Sequence, residues 1–337
     1  MEFSHLLPLS ALFCLALLGS HVQASLPAED YWQTLWPNTP MPKVFKDLLV
    51  QPADWRTMRS QHAATHSKAK VPEGLFYLDH QKTMDKTIPF YPSHIHGKES
   101  NTERDDLTSK KLIVPNGTFF FEHDLLPGKK VILGHTESSA EFTFLPDKIA
   151  KTIPFSSNKF PEILNRLSIE ADSAEAMSIK KSLEHCENPA MKGEDKYCAT
   201  SLESLVDFAV SKLGKNIRPV STEFERETQD RQYSVAAEGA KIIGEKGMVC
   251  HQMDYPYAVF YCHKVKTRTY SVPLVASNDG TRVKAIAVCH PDTADWSPDY
   301  IPFKMLNTKP GATICHFLST DTVIWVPQFS SLLKYHM

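Results

Sequence analysis

Four of the seven cysteines in this 337-residue chain are followed directly by histidine. The dipeptides lie at 250–251, 262–263, 289–290 and 315–316, so their spacing is CH-x10-CH-x25-CH-x24-CH. Histidine supplies only 15 residues of the chain, and the repeated pairing therefore needs a physical cause. Each pair falls in or at the end of a predicted strand, where successive side chains point to opposite faces. A cysteine turned into the core sends its histidine to the other face, so one dipeptide can serve two chemistries.

The N-terminal residues predict that these cysteines meet an oxidising compartment. An apolar run from Ala11 to Leu18, followed by small residues up to Ala24, is typical of a secretory signal peptide, residues 1–24. The run is too short to span a bilayer and no later segment approaches that length, so we predict no membrane span. Six cysteines then remain, an even number that predicts up to three disulfides. They are Cys186, Cys198, Cys250, Cys262, Cys289 and Cys315.

The pairing of the cysteines stays open at this stage. Cys186 and Cys198 flank the loop between two predicted helices, where a bridge would clamp a helical hairpin, but either could equally bond to a C-terminal cysteine. Between the first two Cys-His pairs, a hairpin turn centred on Pro256 sets Cys250 opposite Cys262, with their histidines diagonal on the other face. A shift of half a residue pairs Cys250 with the second histidine instead.

Helix signals followed by many short strands predict an α+β fold. Asp172-x-x-Glu175 and Thr200-x-x-Glu203 are typical capping boxes at the start of two amphipathic helices. From about residue 232 the segments are short, rich in β-branched and aromatic residues, and separated by turns such as 278–280. We therefore predict a small helical segment followed by a disulfide-stapled, mainly antiparallel β domain.

Composition divides the rest of the chain. Residues 25–70 are rich in Pro, Trp and polar residues without a sustained period, and residues 93–111 contain almost no apolar residue. We predict a weakly ordered leader and linker over 25–114 and a compact domain over 115–330.

The net charge is −2 and there is no basic stripe, which argues against nucleic acid as a partner. Asn116 begins an N-glycosylation sequon, although Asn-Gly is also a turn signal.

Four histidines held together by stapled strands predict a nitrogen-rich metal site. Imidazole suits copper or zinc, and tetragonal nitrogen sites favour Cu(II). A structural metal without chemistry remains an alternative, as do surface histidines beside structural cysteines. His123 is a further candidate ligand or a core residue. The motifs G-x-S-x-G and H-E-x-x-H, a phosphate-binding glycine loop and an EF-hand are missing from the sequence, which argues against the common hydrolase, nucleotide-binding and calcium-binding classes.

The spacing of the four dipeptides resembles the plant BURP domain. The likeness extends upstream through TFFFEHDLLPGKKV, TIPFSSNKFPEIL and EDKYCATSLESLVDF, so it covers roughly residues 115–330. The leader LPAEDYWQTLWPNTPMPK is similar to that of the seed-protein-like branch, and the last gap, residues 291–314, is about one residue shorter than usual. The resemblance implies the BURP fold and a plant protein of the secretory pathway, located in the extracellular space, the cell wall or the vacuole.

The resemblance also implies a function. Some members of this family are copper-dependent cyclases that join a Tyr or Trp side chain of a core peptide in their own chain to a nearby residue. The copper ligands here would be His251, His263, His290 and His316, and the substrate would be the chain's own N-terminal segment. Candidate cores, each with an aliphatic or Pro residue two positions before Tyr, are Ile88-Pro89-Phe90-Tyr91 and Leu75-Phe76-Tyr77. The alternative is a non-enzymatic secreted or vacuolar seed or stress protein, metal-binding or structural, with cell-wall or vacuolar partners.

Overall fold

The computed structural model describes residues 27–49, 119–133, 143–190, 194–228 and 230–328. The predicted signal peptide, the two candidate core peptides at 75–77 and 88–91, and Asn116 lie outside the described residues. Within them, a small helical part precedes a mainly antiparallel β domain with three disulfides, which confirms the α+β prediction. The helices of this described part are all too short to cross a membrane.

The described elements are seven α-helices and thirteen strands. The helices are α1 (Pro27–Leu35), α2 (Lys43–Lys46), α3 (Asp147–Ala150), α4 (Phe160–Leu167), α5 (Ala174–Glu187), α6 (Leu202–Leu213) and α7 (Ile301–Met305). The strands are β1 (Phe119–Phe120), β2 (Lys130–Ile132), β3 (Lys196–Ala199), β4 (Ile217–Val220), β5 (Glu223–Phe224), β6 (Gln232–Val235), β7 (Lys241–Gly244), β8 (Gly247–Gln252), β9 (Phe260–Val265), β10 (Arg268–Ala276), β11 (Arg282–His290), β12 (Ile314–Phe317) and β13 (Thr322–Pro327).

The strands form two antiparallel sheets. The larger has the order β1-β12-β11-β10-β6-β2, with β5 paired to β11 and β7 paired to β10. The smaller has the order β3-β9-β8-β13-β4. A buried cluster takes Ile286 and Val288 from the larger sheet and Val249, Ile324 and Val326 from the smaller one. The two sheets therefore pack face to face, and this shared layer is called the inter-sheet face below.

Strand alternation decides which side chains reach the inter-sheet face. On β8, Val249 lies in the inter-sheet cluster, whereas Cys250 lies in a separate core beneath α1 and α6. On β11, Val288 belongs to the inter-sheet cluster and Cys289 to the core on the opposite side of its sheet. Since side chains alternate along a strand, the histidine that follows each of these cysteines returns to the inter-sheet side.

Both predicted helix caps lie one residue later than expected. The side chain of Ser173 accepts the backbone N–H of Ala176, so Ser173 rather than Asp172 caps α5. Ser201 and Ser204 exchange side-chain and backbone bonds at the start of α6, in place of the box predicted from Thr200. A serine hydroxyl one position along satisfies the same free N–H groups, and the sequence pattern alone did not separate the two choices.

Residues 27–49 differ from the prediction of a weakly ordered leader. They form α1 and α2, and Trp32, Met41, Phe45 and Leu48 are buried against α6 and the smaller sheet. The aromatic residues that made the segment look irregular are its anchors, because each inserts into a core built by residues far along the chain. We call residues 27–49 the N-terminal clasp.

Five short strands precede residue 232, where the sequence predicted strands to begin. They contain two to four residues each, and every one pairs with a strand at or beyond β6. A segment this short shows no measurable alternation in sequence. Its strand character comes from the partner strand rather than from its own residues.

Candidate metal centre

The four Cys-His dipeptides sit on two pairs of neighbouring strands. Cys250 on β8 pairs in register with Cys262 on β9, and the two are joined by a disulfide. Cys289 on β11 pairs in the same way with Cys315 on β12. Of the two registers predicted for the first hairpin, the structure therefore adopts the one with its turn centred on Pro256. The remaining bridge joins Cys186 to Cys198, the local alternative.

The register sets the two histidines of each hairpin on a diagonal. Val249 lies opposite His263 and His251 lies opposite Tyr261, while the disulfide projects from the other face. His316 lies opposite Val288 in the larger sheet, with the same relation to its bridge. The register thus places His251, His263, His290 and His316 on the inter-sheet side of their strands, and we call these four residues the histidine cluster.

The nitrogens of His290 and His316 face each other directly. Their Nε2 atoms are 3.3 Å apart, and the rings are stacked with centroids 5.4 Å apart. Nδ1 of His316 lies 3.1 Å from the carbonyl of Phe317, to which its N–H donates. In the neutral ring this leaves Nε2 of His316 unprotonated, and the Nε2–H of His290 donates to it; to bind a metal through Nε2, His290 would carry its proton on Nδ1 instead.

Polar neighbours orient the other two histidines. Nδ1 of His263 lies 3.0 Å from Oε1 of Glu194, and both side chains are about nine-tenths buried. Nδ1 of His251 lies 3.4 Å from the hydroxyl of Thr322. The two rings are 5.6 Å apart between centroids. In both residues the Nδ1 contact leaves Nε2 as the atom available to a ligand, an arrangement common among metal-binding histidines.

Three histidines of the cluster are uncharged at neutral pH. Burial lowers the pKa of His251 and of His290 well below the ordinary imidazole value, and the nearby histidines lower both further. Burial also lowers the pKa of His316, partly offset by the bond to Phe317. Neutral imidazole is the form that binds a metal, since a proton and a metal compete for the same lone pair.

The donor chemistry of the cluster fits copper or zinc, although no complete site is assembled. Two imidazole nitrogens bound at about 2.0 to 2.1 Å to one ion stand about 2.8 to 3.4 Å apart, depending on the angle. The 3.3 Å between His290 and His316 falls in this range. Among the described residues, however, no group of three or more His, Cys, Asp or Glu side chains is positioned to hold a metal ion. The histidines stand as two pairs, one from each sheet.

Aromatic rings border the cluster on both sheets. Trp296 lies 5.1 Å from His290 between ring centroids, and Phe119, paired in register with His316, meets that ring edge-on at 6.4 Å. Tyr261 lies 5.2 Å from His263, and its hydroxyl donates to Glu194 at 3.4 Å. Burial and the carboxylate raise the pKa of Tyr261, so its phenol is protonated. These surfaces suit an aromatic side chain next to the histidines.

The sequence analysis did not predict three polar residues of this region. Glu194 and Thr322 carry no local signal, because their contacts depend on pairing between distant strands. His185 does carry one: it precedes Cys186 in a reversed His-Cys dipeptide, and its ring meets Tyr261 at 4.4 Å. His123, the suggested extra ligand or core residue, is neither buried nor part of the cluster, since its side chain is 76% exposed.

The comparisons with known proteins agree on one family. The family model described as BURP domain matches residues 118–327. The chain is 48% identical over 220 residues to "BURP domain protein RD22" of Arabidopsis thaliana, covering 63% of this chain and 56% of that protein. The match to the rice "BURP domain-containing protein 3" (Oryza sativa subsp. japonica) covers 50% of that protein. The chain therefore spans about half the length of these two relatives.

Another relative matches along nearly its whole length. The chain is 34% identical over 335 residues to "Unknown seed protein USP" of Vicia faba, which covers 98% of each protein. The match includes the N-terminal clasp as well as the β domain.

Proposed function

The chain belongs to the BURP domain family, and on this basis we propose that it is a copper-dependent cyclase acting on a peptide within its own chain. The crosslink would join a Tyr or Trp side chain to a nearby residue. The observation that carries the proposal is the pair of facing nitrogens on His290 and His316, set between two sheets that each contribute two histidines.

The chain's own residues supply the binding and the orientation. His290 and His316 would hold copper through Nε2, with His251 and His263 as the second pair. Glu194 accepts a hydrogen bond from the Nδ1–H of His263, which keeps the opposite nitrogen unprotonated. Copper, when bound, supplies the one-electron oxidation of a phenol or indole that protein side chains cannot perform, with oxygen as the final electron acceptor.

The path of the chain supports a substrate in cis. Phe119, the first described residue after the 50–118 segment, is paired in register with His316. Tyr91 precedes Phe119 by 28 residues and Tyr77 by 42, so the covalent chain can span roughly 90 Å or more. Either tyrosine can therefore reach the cluster. Tethering also raises its effective concentration there to roughly the millimolar range.

The activity can be tested by incubating purified chain, from residue 25 onward, with Cu(II) under air and mapping its tryptic peptides by mass spectrometry. We expect a peptide containing Tyr91 or Tyr77 to lose two hydrogens. His251→Ala and His316→Ala should abolish that loss, whereas His123→Ala, which alters an exposed histidine outside the cluster, should not. Unchanged peptides from wild-type protein with copper demonstrably bound would reject the cyclase.

The second candidate is a non-enzymatic seed or stress protein. It is favoured by the Vicia faba relative, which matches along nearly its full length and whose name describes a seed protein and no reaction. In that case the histidines would bind metal, or serve structure, without changing any peptide. Bound copper with unaltered peptides is the result that selects this candidate.

The three disulfides support a proposal about where in the cell the protein is located. Three bridges form readily in an oxidising compartment, so we infer passage through the secretory pathway to the extracellular space, the cell wall or the vacuole. Glycosylation at Asn116 is part of this proposal. A shift in mass on treatment with a glycosidase, lost in Asn116→Gln, would test both together.

A further inference from the structure

The N-terminal clasp packs along a groove formed by α6 and the outer face of the smaller sheet. Trp32 and Phe45 of the clasp are 1% and 0% exposed. Both meet Trp325, at centroid distances of 6.1 and 5.8 Å, and Phe45 also meets Phe144 at 6.4 Å. The groove is otherwise formed by apolar residues of α6, β8, β9 and the loop before β9: Leu202, Leu205, Val206, Ala209, Met248, Cys250, Ala258, Phe260 and Cys262.

Polar contacts fix the clasp at three separate points. The backbone N–H of Phe144 donates to the carbonyl of Leu48 at 2.7 Å. The indole N–H of Trp36 donates to the carbonyl of Lys215 at 3.0 Å, and the hydroxyl of Tyr31 donates to Asp207. These contacts define one orientation of the segment along the groove. None of them depends on the peptide bonds that follow residue 49.

The contacts have the features of a peptide-binding interface. Large aromatic anchors are fully buried at its centre and hydrogen bonds surround them, which is where binding energy concentrates in protein complexes. Without the clasp, Trp325 would lose the aromatic residues that pack against it on this face. A monomeric protein seldom leaves such a large apolar surface open to water.

We propose that this groove is a peptide-binding site whose ligand is residues 27–49, and that it retains the segment non-covalently after the chain is cut between residues 50 and 118. The inference is independent of the proposed copper chemistry. It implies that excision of any peptide from 50–118 leaves a two-piece protein, with the groove filled on one face of β8 and β9 and His251 and His263 on the other.

The test uses the full chain with a site-specific protease sequence inserted within residues 50–118. After cleavage under native conditions, size-exclusion chromatography and mass spectrometry should find the clasp fragment co-eluting with the domain. Lys43→Ala, a clasp variant at a side chain that is 80% exposed, should behave identically. Release of the wild-type fragment, whether the domain then stays soluble or precipitates, would overturn the proposal.

Peptides provide a measurement that does not require a variant chain to fold. A labelled synthetic peptide of residues 27–49 is exchanged into the cleaved protein in low urea, and unlabelled peptides compete for the groove. We expect the Trp32→Ala peptide to compete at least about 10-fold more weakly than the wild-type or Lys43→Ala peptide, since it lacks a central anchor. Equal competition by all three peptides would contradict a specific groove.

Discussion

Nε2 of His290 lies 3.3 Å from Nε2 of His316, and a disulfide joins the preceding residue of each histidine across the same two strands. The bridge faces the core on one side of the larger sheet, while both histidine side chains project from its other side, toward the smaller sheet. One covalent link therefore fixes both the strand pair and the spacing of the two imidazoles.

Removing the Cys289–Cys315 bridge should lower stability. The double variant Cys289→Ala, Cys315→Ala opens a loop with a sequence separation of 26 residues. Restored chain entropy in the unfolded state predicts a loss of about 3.5 kcal/mol in the free energy of unfolding. The double variant Cys186→Ala, Cys198→Ala opens a shorter loop, with a sequence separation of 12. The same dependence of chain entropy on loop length predicts a loss of about 2.8 kcal/mol in its free energy of unfolding. Urea unfolding followed by circular dichroism measures both, and unchanged midpoints would contradict the prediction.

Replacing Glu194 should weaken copper binding without removing a proposed ligand. Glu194→Gln keeps an oxygen that can accept from Nδ1–H of His263 but loses the negative charge. We expect the affinity for Cu(II) to fall by about 10- to 100-fold, as for other outer residues that orient a metal-binding histidine. Competition with a chelator of known affinity measures the change. The control is Asp195→Asn, a neighbouring carboxylate that bonds Lys212; an equal loss in the control would mean that the effect is not specific to His263.

Local patterns predicted part of this arrangement. The strands from residue 232 onward follow from β-branched residues and turns, and the alternation of a strand separates each cysteine from its histidine. A turn centred on Pro256 was one of two registers that the sequence allowed, and the structure adopts it. The family and the disulfides are confirmed. The copper ligands, the core peptide and the signal peptide stay predictions.

Contacts between distant segments could not be predicted in the same way. The clasp looked irregular because the groove that buries Trp32 is made by residues about 110 to 290 positions later. Glu194 reaches His263 because β3 pairs with β9, a pairing that no local pattern encodes. His185 had a signal in the reversed His-Cys dipeptide. Its significance depends on the disulfide to Cys198, which the sequence left open.

Acid should destabilise the metal-free protein through His185. Burial, then the nearby Lys196 and His263, lower the pKa of His185 to about 4, and Glu194 opposes the shift. In the unfolded chain this histidine binds a proton as the pH falls below about 6.5, whereas in the folded state it stays neutral until about pH 4. The free energy of unfolding therefore falls as the pH drops from about 6.5 toward 4. The loss from this residue approaches about 3 kcal/mol at the lower pH.

His185→Gln tests that assignment. The variant should lose less stability between pH 7 and pH 4.5 than the wild type, measured as the change in urea midpoint. His123→Gln, at an exposed histidine, should keep the wild-type pH dependence. If His185→Gln and the wild type lose stability equally, the acid sensitivity arises elsewhere.

The most direct test of the account is whether histidines from both sheets bind the same copper. Electron paramagnetic resonance of the Cu(II)-loaded protein would be compared for wild type, His251→Ala from the smaller sheet, His316→Ala from the larger sheet and the exposed His123→Ala, each checked for folding by circular dichroism. The account predicts that the first two substitutions each alter the nitrogen hyperfine pattern and lower the affinity, and that His123→Ala does neither. A spectrum and affinity that respond to one sheet alone, or to neither, would contradict it.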